Sequence, residues 1–384
     1  MAGYQGWFTA PGDGNQLGWK HYGFDGHGRC LIDLWPDLSE FGEHERFDTP
    51  LRHADGRPAQ VFSSSHPDTV RRHFEWMRRH RIDGVFLQRF GVSLKQPPLR
   101  RFRDRVLAEV RASAAATGRT WALMYDLSGL RRGEIESVVM QDWKHLQQEL
   151  RITSDPTYQH HNGRPVVAVW GIGFYDDRDY TLEECRELLL FLRDNPEFGG
   201  HSVMVGVPYG WRTLDRDAVA DEALLEVIAL ADIVSPWSVG RYGGIDEARR
   251  EIAQVQEGDL AWCRQRGKDY MPVIFPGFSW HNLMRSRGVE AELNQVPRLG
   301  GEFLWQQARA RLEGGSRMLY VAMFDELDEA TAIMPTTSAV PAGPARFVTE
   351  PELDPHHYLR LTGRIGAALR GDLELDEVWP VPRE

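Results

Sequence analysis

The sequence predicts a single α/β domain folded as a (β/α)8 barrel. Three observations carry this. Eight short, nearly continuous apolar runs recur along the 384 residues, and amphipathic helical stretches separate them, the pattern of a parallel sheet buried on both faces. No GxGxxG turn follows the first run, as a doubly wound dinucleotide fold would usually show. The chain is too long for one small core, and no linker or internal repeat divides it.

The first strand is expected in "GYQGWFTAP" (3–11), and an extended loop rich in Gly, Asp and Pro follows to about residue 66. Residues 66–81 place Val70, Phe74 and Met77 at helical spacing, and 82–90 read as the second strand. A helix over 101–118 ends at Gly118, a residue suited to a left-handed C-cap. The alternation continues with strands at 120–129, 164–174, 201–211, 232–240, 270–280 and 317–326. Helices are expected at 135–151, 181–195, 221–231, 245–267 and 301–315. A Pro-rich link leads to an extra C-terminal helix at 356–371. The barrel therefore spans about 3–335, with an extension over 336–384.

Composition excludes several functions. A net charge of −11 disfavours nucleic acid, which requires clustered Lys and Arg. The Arg-rich "VRRHFEWMRRHR" has helical spacing and reads as a solvated helix face. No apolar run approaches ~18 residues, so no membrane span is expected. Cys30, Cys185 and Cys263 lie far apart and suit a reducing compartment. The start lacks the basic and apolar regions of a leader. A cytoplasmic protein is expected, or a secreted or periplasmic one whose leader has been removed. The 13 Trp can build a core or line a sugar cleft.

In barrel enzymes the chemistry lies at the carboxyl ends of the strands. These ends carry Trp7, then Gln88 and Arg89, then Tyr125 and Asp126, then Trp170. Next come Tyr209 and Trp211, then Trp237 with Arg241 and Tyr242, then Phe278 with Trp280 and His281. The eighth run ends in "MFDELDEATAI" (323–333), with Asp325, Glu326, Asp328 and Glu329 inside five positions. One Trp at a strand end is ordinary core, but aromatics at seven ends point to a lined mouth. Asp126 also suits a turn cap. His160 and His161 read as loop surface. One or two acids would suit a helix N-terminus; four crowded acids force their pKa values apart, so that one stays protonated beside an ionised neighbour. Glycoside hydrolysis requires that division of labour.

The opening "GYQGWF", the runs "RIDGVFLQRF", "WALMYDLSG" and "PVVAVWGIGF", and above all "MFDELDEATAI" resemble glycoside hydrolase families 71 and 99 over nearly the whole barrel. The resemblance implies a retaining α-glycoside hydrolase acting on α-mannosides or related α-glycans. It puts the two family 99 glutamates at Glu326, which would deprotonate the sugar's own 2-hydroxyl, and Glu329, the general acid/base. Trp7, Gln88, Tyr125, Asp126, Trp170, Tyr209, Trp237, Trp280 and Asp325 are expected to bind the glycan. No cofactor or metal is expected, because two carboxylates suffice and no His pair has ligand spacing on one strand or helix. The motif departs from the family at Phe324, Leu327, Asp328 and Ala330, where related bacterial members usually carry Gly at the last. Rival readings are a family 71-like α-1,3-glucanase and a catalytically silent carbohydrate-binding barrel. The oligomeric state is not legible in the sequence.

Overall fold

A computed structural model describes residues 1–374. Its strands pair in chain order. They are β1 (Ala2–Tyr4), β2 (Gly84–Phe90), β3 (Thr120–Asp126), β4 (Arg164–Trp170), β5 (Ser202–Val207), β6 (Ile233–Pro236), β7 and β8 (Tyr320–Val321). Strand β7 is in two pieces: Asp269–Tyr270 pairs with β6, and Val273–Ile274 pairs with β8. Because β8 also pairs with β1, this split strand closes the sheet into a barrel. All these pairings are parallel.

The helices fall where the periodicity puts them: α1 (Pro67–Arg79), α2 (Pro97–Thr117), α3 (Gln141–Gln148), α4 (Leu182–Asp194), α5 (Ala223–Ile228), α6 (Ile245–Gln265), α7 (Glu302–Glu313) and α8 (His357–Leu369). Gly118 takes the left-handed C-cap of α2 at φ 65°. No helix among the described residues is long and apolar enough to cross a membrane. The three cysteines are buried free thiols.

Every strand is shorter than expected, the first, the seventh and the eighth most of all. The apolar residues beyond them are buried, but in loops. Phe8 packs on Tyr22 and Phe62 from the extended loop. Phe275 packs on Phe303 of α7, and Phe324 packs on Tyr4. A run of apolar residues signals burial; only hydrogen-bond pairing makes it a strand.

The loop after β1 carries an antiparallel hairpin, Phe47–Arg52 with Pro58–Val61. It folds over the end of β8: the backbone N–H groups of Asp33 and Leu34 donate to Leu327 O at 2.9 and 3.1 Å. The extension joins it, with Val348 N donating to Asp33 O at 2.8 Å. The loop therefore packs on the turn after β8, and the extension packs on the loop.

Strand alternation sorts the side chains. Phe86 and Gln88 face the axis, where Phe86 stacks on Tyr320 and Gln88 Nε2 donates to Tyr320 Oη at 3.2 Å. Arg89 faces the helices. It forms ion pairs with Asp142 of α3 at 2.6 Å and Asp104 of α2 at 2.7 Å.

Candidate active site

The register of β2 to β5 decides which residues reach the mouth. Phe90, Asp126, Trp170 and Gly206 are neighbours across the four strands, so they share the uppermost inward-facing layer. A Cβ at position 206 would come within 2.3 Å of Trp170 Cδ1, so the absent side chain is what lets the indole lie across β5. Trp170 meets Trp237 edge-to-face at 5.5 Å, and Trp237 in turn reaches Tyr320. Arg178 lies over the Trp170 ring. Asp126 Oδ1 accepts from Ser128 N at 2.7 Å, the turn cap its sequence position suggested. Trp7 stacks on Phe90 and Trp280 packs against Phe278, while Ser279 N donates to Glu329 O at 3.0 Å.

Gln88 lies one layer down, paired with Met124, and forms the floor. Its Oε1 is buried and has no partner among the described residues.

Three expected glycan contacts are corrected. Tyr125 precedes Asp126 on a strand, so it must face the other way. Its hydroxyl is fully buried outside the barrel and donates to Asp142 at 2.7 Å. Tyr209 turns outward to pack on Tyr242, under Arg216. Asp325 offers nothing to a ligand: its two oxygens accept from the backbone N–H groups of Gln5 at 2.7 Å and Gly6 at 2.9 Å, tying β8 to β1. Arg89, Trp211 and Tyr242 also serve the outer layer, bonded to Asp142, Asp259 and Gln307. His161, expected on a surface loop, bonds Ser202 and Asp269 at the amino ends of β5 and β7, opposite the mouth.

The remaining three acids stand at the mouth in different surroundings. Glu326 is 5% exposed. Gln5 Nε2 donates to its Oε1, and Thr331 Oγ1 donates to its Oε2 at 2.6 Å. Glu329 is half-buried, and no hydrogen bond to its carboxylate occurs among the described residues. Asp328 is buried and 3.2 Å from His21 Nδ1, while its Oδ1 has no partner among the described residues. The His21 ring lies on Trp7, centroids 3.9 Å apart and 7° from parallel.

Burial comes first among the causes that raise all four carboxyls. Asp325 is pushed up to about 7, Asp328 to about 8 and Glu329 to about 7. Glu326 rises well above its ordinary 4.5, next through the charges of Glu329 and Asp328. Glu326, Asp328 and Glu329 therefore hold their protons as one coupled group, released in macroscopic steps that belong to the group. Burial alone would leave the last proton on Glu326. The donors from Gln5 and Thr331 pull the other way, favouring an ionised Glu326.

Gln5, His21, Asp33, Arg298 and Thr331 carry no sequence signal that marks them for the site. Gln5 lies in "GYQGWF" and Thr331 in "MFDELDEATAI", but nothing in either stretch marks them as Glu326's donors. Asp33 caps the short helix His281–Ser286, accepting from Ser279 Oγ, His281 N and Asn282 N. Arg298 donates to Ala330 O and Ala332 O at 2.8 and 3.0 Å.

Ala330 sits at φ 53°, in the left-handed region. This gives a physical reason for Gly at that place in related motifs. Ala330→Gly is expected to relieve about 1 kcal/mol of backbone strain, partly offset by glycine's greater entropy loss on folding. Urea unfolding checks it; a variant less stable than the parent by more than 1 kcal/mol would sink this account.

No family model matches the chain, and no curated protein matches it. Solved structures do. A GH99 endo-α-mannosidase from Bacteroides thetaiotaomicron is 14% identical, with 97% of each chain covered and a TM-score of 0.67. A glycoside hydrolase-like protein is 12% identical, covering 89% of this chain and 95% of that one, at TM-score 0.52. GH5_18 from Streptomyces cattleya, solved with GlcNAc, is 15% identical, covering 83% and 78%, at TM-score 0.51. The strand pairing and these likenesses together establish the fold: the chain is an α/β barrel, similar along almost its entire length to the GH99 endo-α-mannosidase.

Proposed function

We propose that the protein is a retaining α-glycoside hydrolase whose substrates are α-mannosides or related α-glycans. The observation that carries this reading is the asymmetry between Glu326 and Glu329. Both occupy one loop after the last strand, at the mouth of the barrel. One is deep and held by two donors; the other is more open and receives none among the described residues. Glu329 has the access a general acid/base requires, first to the leaving oxygen and then to water. Glu326 has the fixed orientation required of a base acting on a sugar held in one pose. Trp170, Trp237 and Trp280 supply flat apolar faces for sugar rings, Trp7, covered by His21 and Phe90, supplies a ring edge, and Gln88 and Asp126 supply polar groups below and beside them.

The α-mannoside assignment rests on the motif's resemblance to family 99 and on the likeness to an endo-α-mannosidase. The reaction attributed to Glu326 is deprotonation of the substrate's 2-hydroxyl, whose oxygen attacks the anomeric carbon as Glu329 protonates the leaving oxygen. Water activated by Glu329 then opens the resulting 1,2-anhydro sugar, and the anomeric configuration is retained.

A screen of aryl α-glycosides, with the product anomer read by NMR, tests the reading. Release of the α-anomer from α-mannosides supports it. Binding of α-mannose oligomers with no turnover of any activated α-glycoside would establish a silent binder instead. The role of Glu326 has its own test. A 2-fluoro α-glycoside with a good leaving group is expected neither to turn over well nor to label the protein. An added sugar mapped to Glu326 by mass spectrometry would replace 2-hydroxyl participation with the ordinary two-step scheme.

A further inference from the structure

We propose that His44, His66 and Asp68 form a zinc site that fastens the extended loop to the start of α1. The three residues come from two segments. His44 lies in the 3-10 turn Glu43–Glu45, within the loop. His66 is the N-cap of α1, and Asp68 is in its first turn. One ligand atom from each lies within 4.8 Å of the other two. His44 Nε2 is already 2.9 Å from Asp68 Oδ2, and the two imidazoles are 5.4 Å apart.

The ligand set and its supports fit the ion. Two imidazoles and one carboxylate suit zinc, with solvent as the fourth ligand, better than they suit magnesium or calcium, which favour all-oxygen sites. Zn–N bonds of ~2.0–2.1 Å place tetrahedral ligands roughly 3.3–3.5 Å apart. Small rotations of side chains that are 65% and 49% exposed at His44 and Asp68 reach that spacing. The backbones beneath are held in place. Glu45, next to His44, is buried, accepts from Gly42 N at 2.8 Å and pairs with Arg72 of α1. Two features oppose binding: the cation would sit at a helix N-terminus, with Arg71 near Asp68. The His66 cap bond from Asp68 N is long, 3.3 Å, so giving the ring to a metal sacrifices little. The consequence is structural. The loop that presents His21 and Asp33 at the mouth would gain a further fastening to α1, beside Glu45–Arg72 and Glu40–Arg79.

Calorimetric titration of chelator-treated protein with zinc chloride tests the proposal, with Co2+ absorption as a readout of tetrahedral coordination. One ion per chain is expected, together with a rise in Tm. His44→Ala and His66→Asn, the latter keeping a good helix cap, should each weaken binding at least about tenfold. His356→Gln, which disturbs the separate group of His80, His356 and Glu40, should leave binding unchanged. No zinc uptake, uptake unaffected by the first two substitutions, or uptake abolished by the third would each overturn the site.

Discussion

Glu329→Gln is expected to lower kcat by ~10²–10⁴ while sugar affinity changes far less. The amide keeps the size and shape of the side chain but has no proton to give to the leaving oxygen. No hydrogen bond to this carboxylate is present among the described residues, so the substitution strands no partner. The wild-type rate should follow a bell in pH. The alkaline limb reports loss of the proton from the coupled carboxyls, with Glu329 pushed up to about 7 by burial and the charge of Asp328. In the variant the residual rate should lose that limb. An unchanged kcat, or an alkaline limb at the same pH in the variant, would remove Glu329 from the acid role.

The same substitution should move stability in the opposite direction. The folded protein holds the Glu329 proton to about 7, whereas the ordinary value is 4.5. Between those values the folded state binds more protons than the unfolded one, so stability is complete below about 4.5 and is lost as pH rises through about 7. Gln carries no charge at either extreme. Glu329→Gln should therefore be more stable than wild type at pH 8 by about 1–3 kcal/mol, and nearly equal to it at pH 4. Urea unfolding at the two pH values reads the difference.

Arg298→Met should cost about 3–5 kcal/mol of stability. Arg298 is 2% exposed, forks onto Ala330 O and Ala332 O, pairs with Glu350 at 3.2 Å and lies 3.8 Å from the Tyr358 ring centroid. Met fills much of the volume but leaves two carbonyls without their charged donors and Glu350 without its cation. Because those carbonyls flank Thr331, which bonds Glu326, kcat should fall as well. Arg298→Lys should recover only part of each loss, because an ammonium cannot reproduce the two-pronged contact. A loss below 1 kcal/mol, with the denaturant slope unchanged, would show that the loop holds itself.

The extension therefore has a role its sequence does not announce. Glu350 and Tyr358 fix Arg298, Arg298 fixes residues 330–332, and Thr331 orients Glu326. Together with Asp33 and the loop after β1, this explains how an acid-rich turn is kept in one conformation against its own repulsion. The stability predicted to drain away above pH 4.5 is the energetic counterpart of keeping those acids buried.

The sequence by itself determined the barrel, its order of strands and helices, and the position of the acids after the last strand. Those features follow from periodicity and apolar runs, which neighbouring residues set among themselves. It also led to Trp7, Asp126, Trp170, Trp237, Glu326 and Glu329 at the mouth. Only the tertiary structure decided that Tyr125 faces outward, because a one-residue step along a strand reverses a side chain and register is a property of paired strands, and that Tyr209, in the loop past β5, packs on Tyr242. It also separated four acids that look alike in sequence. Asp325 braces β1, Asp328 meets His21, Glu326 receives Gln5 and Thr331, and Glu329 is left open. Those partners lie up to 321 residues away along the chain. A carboxylate's role is set by the donors and the solvent around it, and long-range packing supplies both.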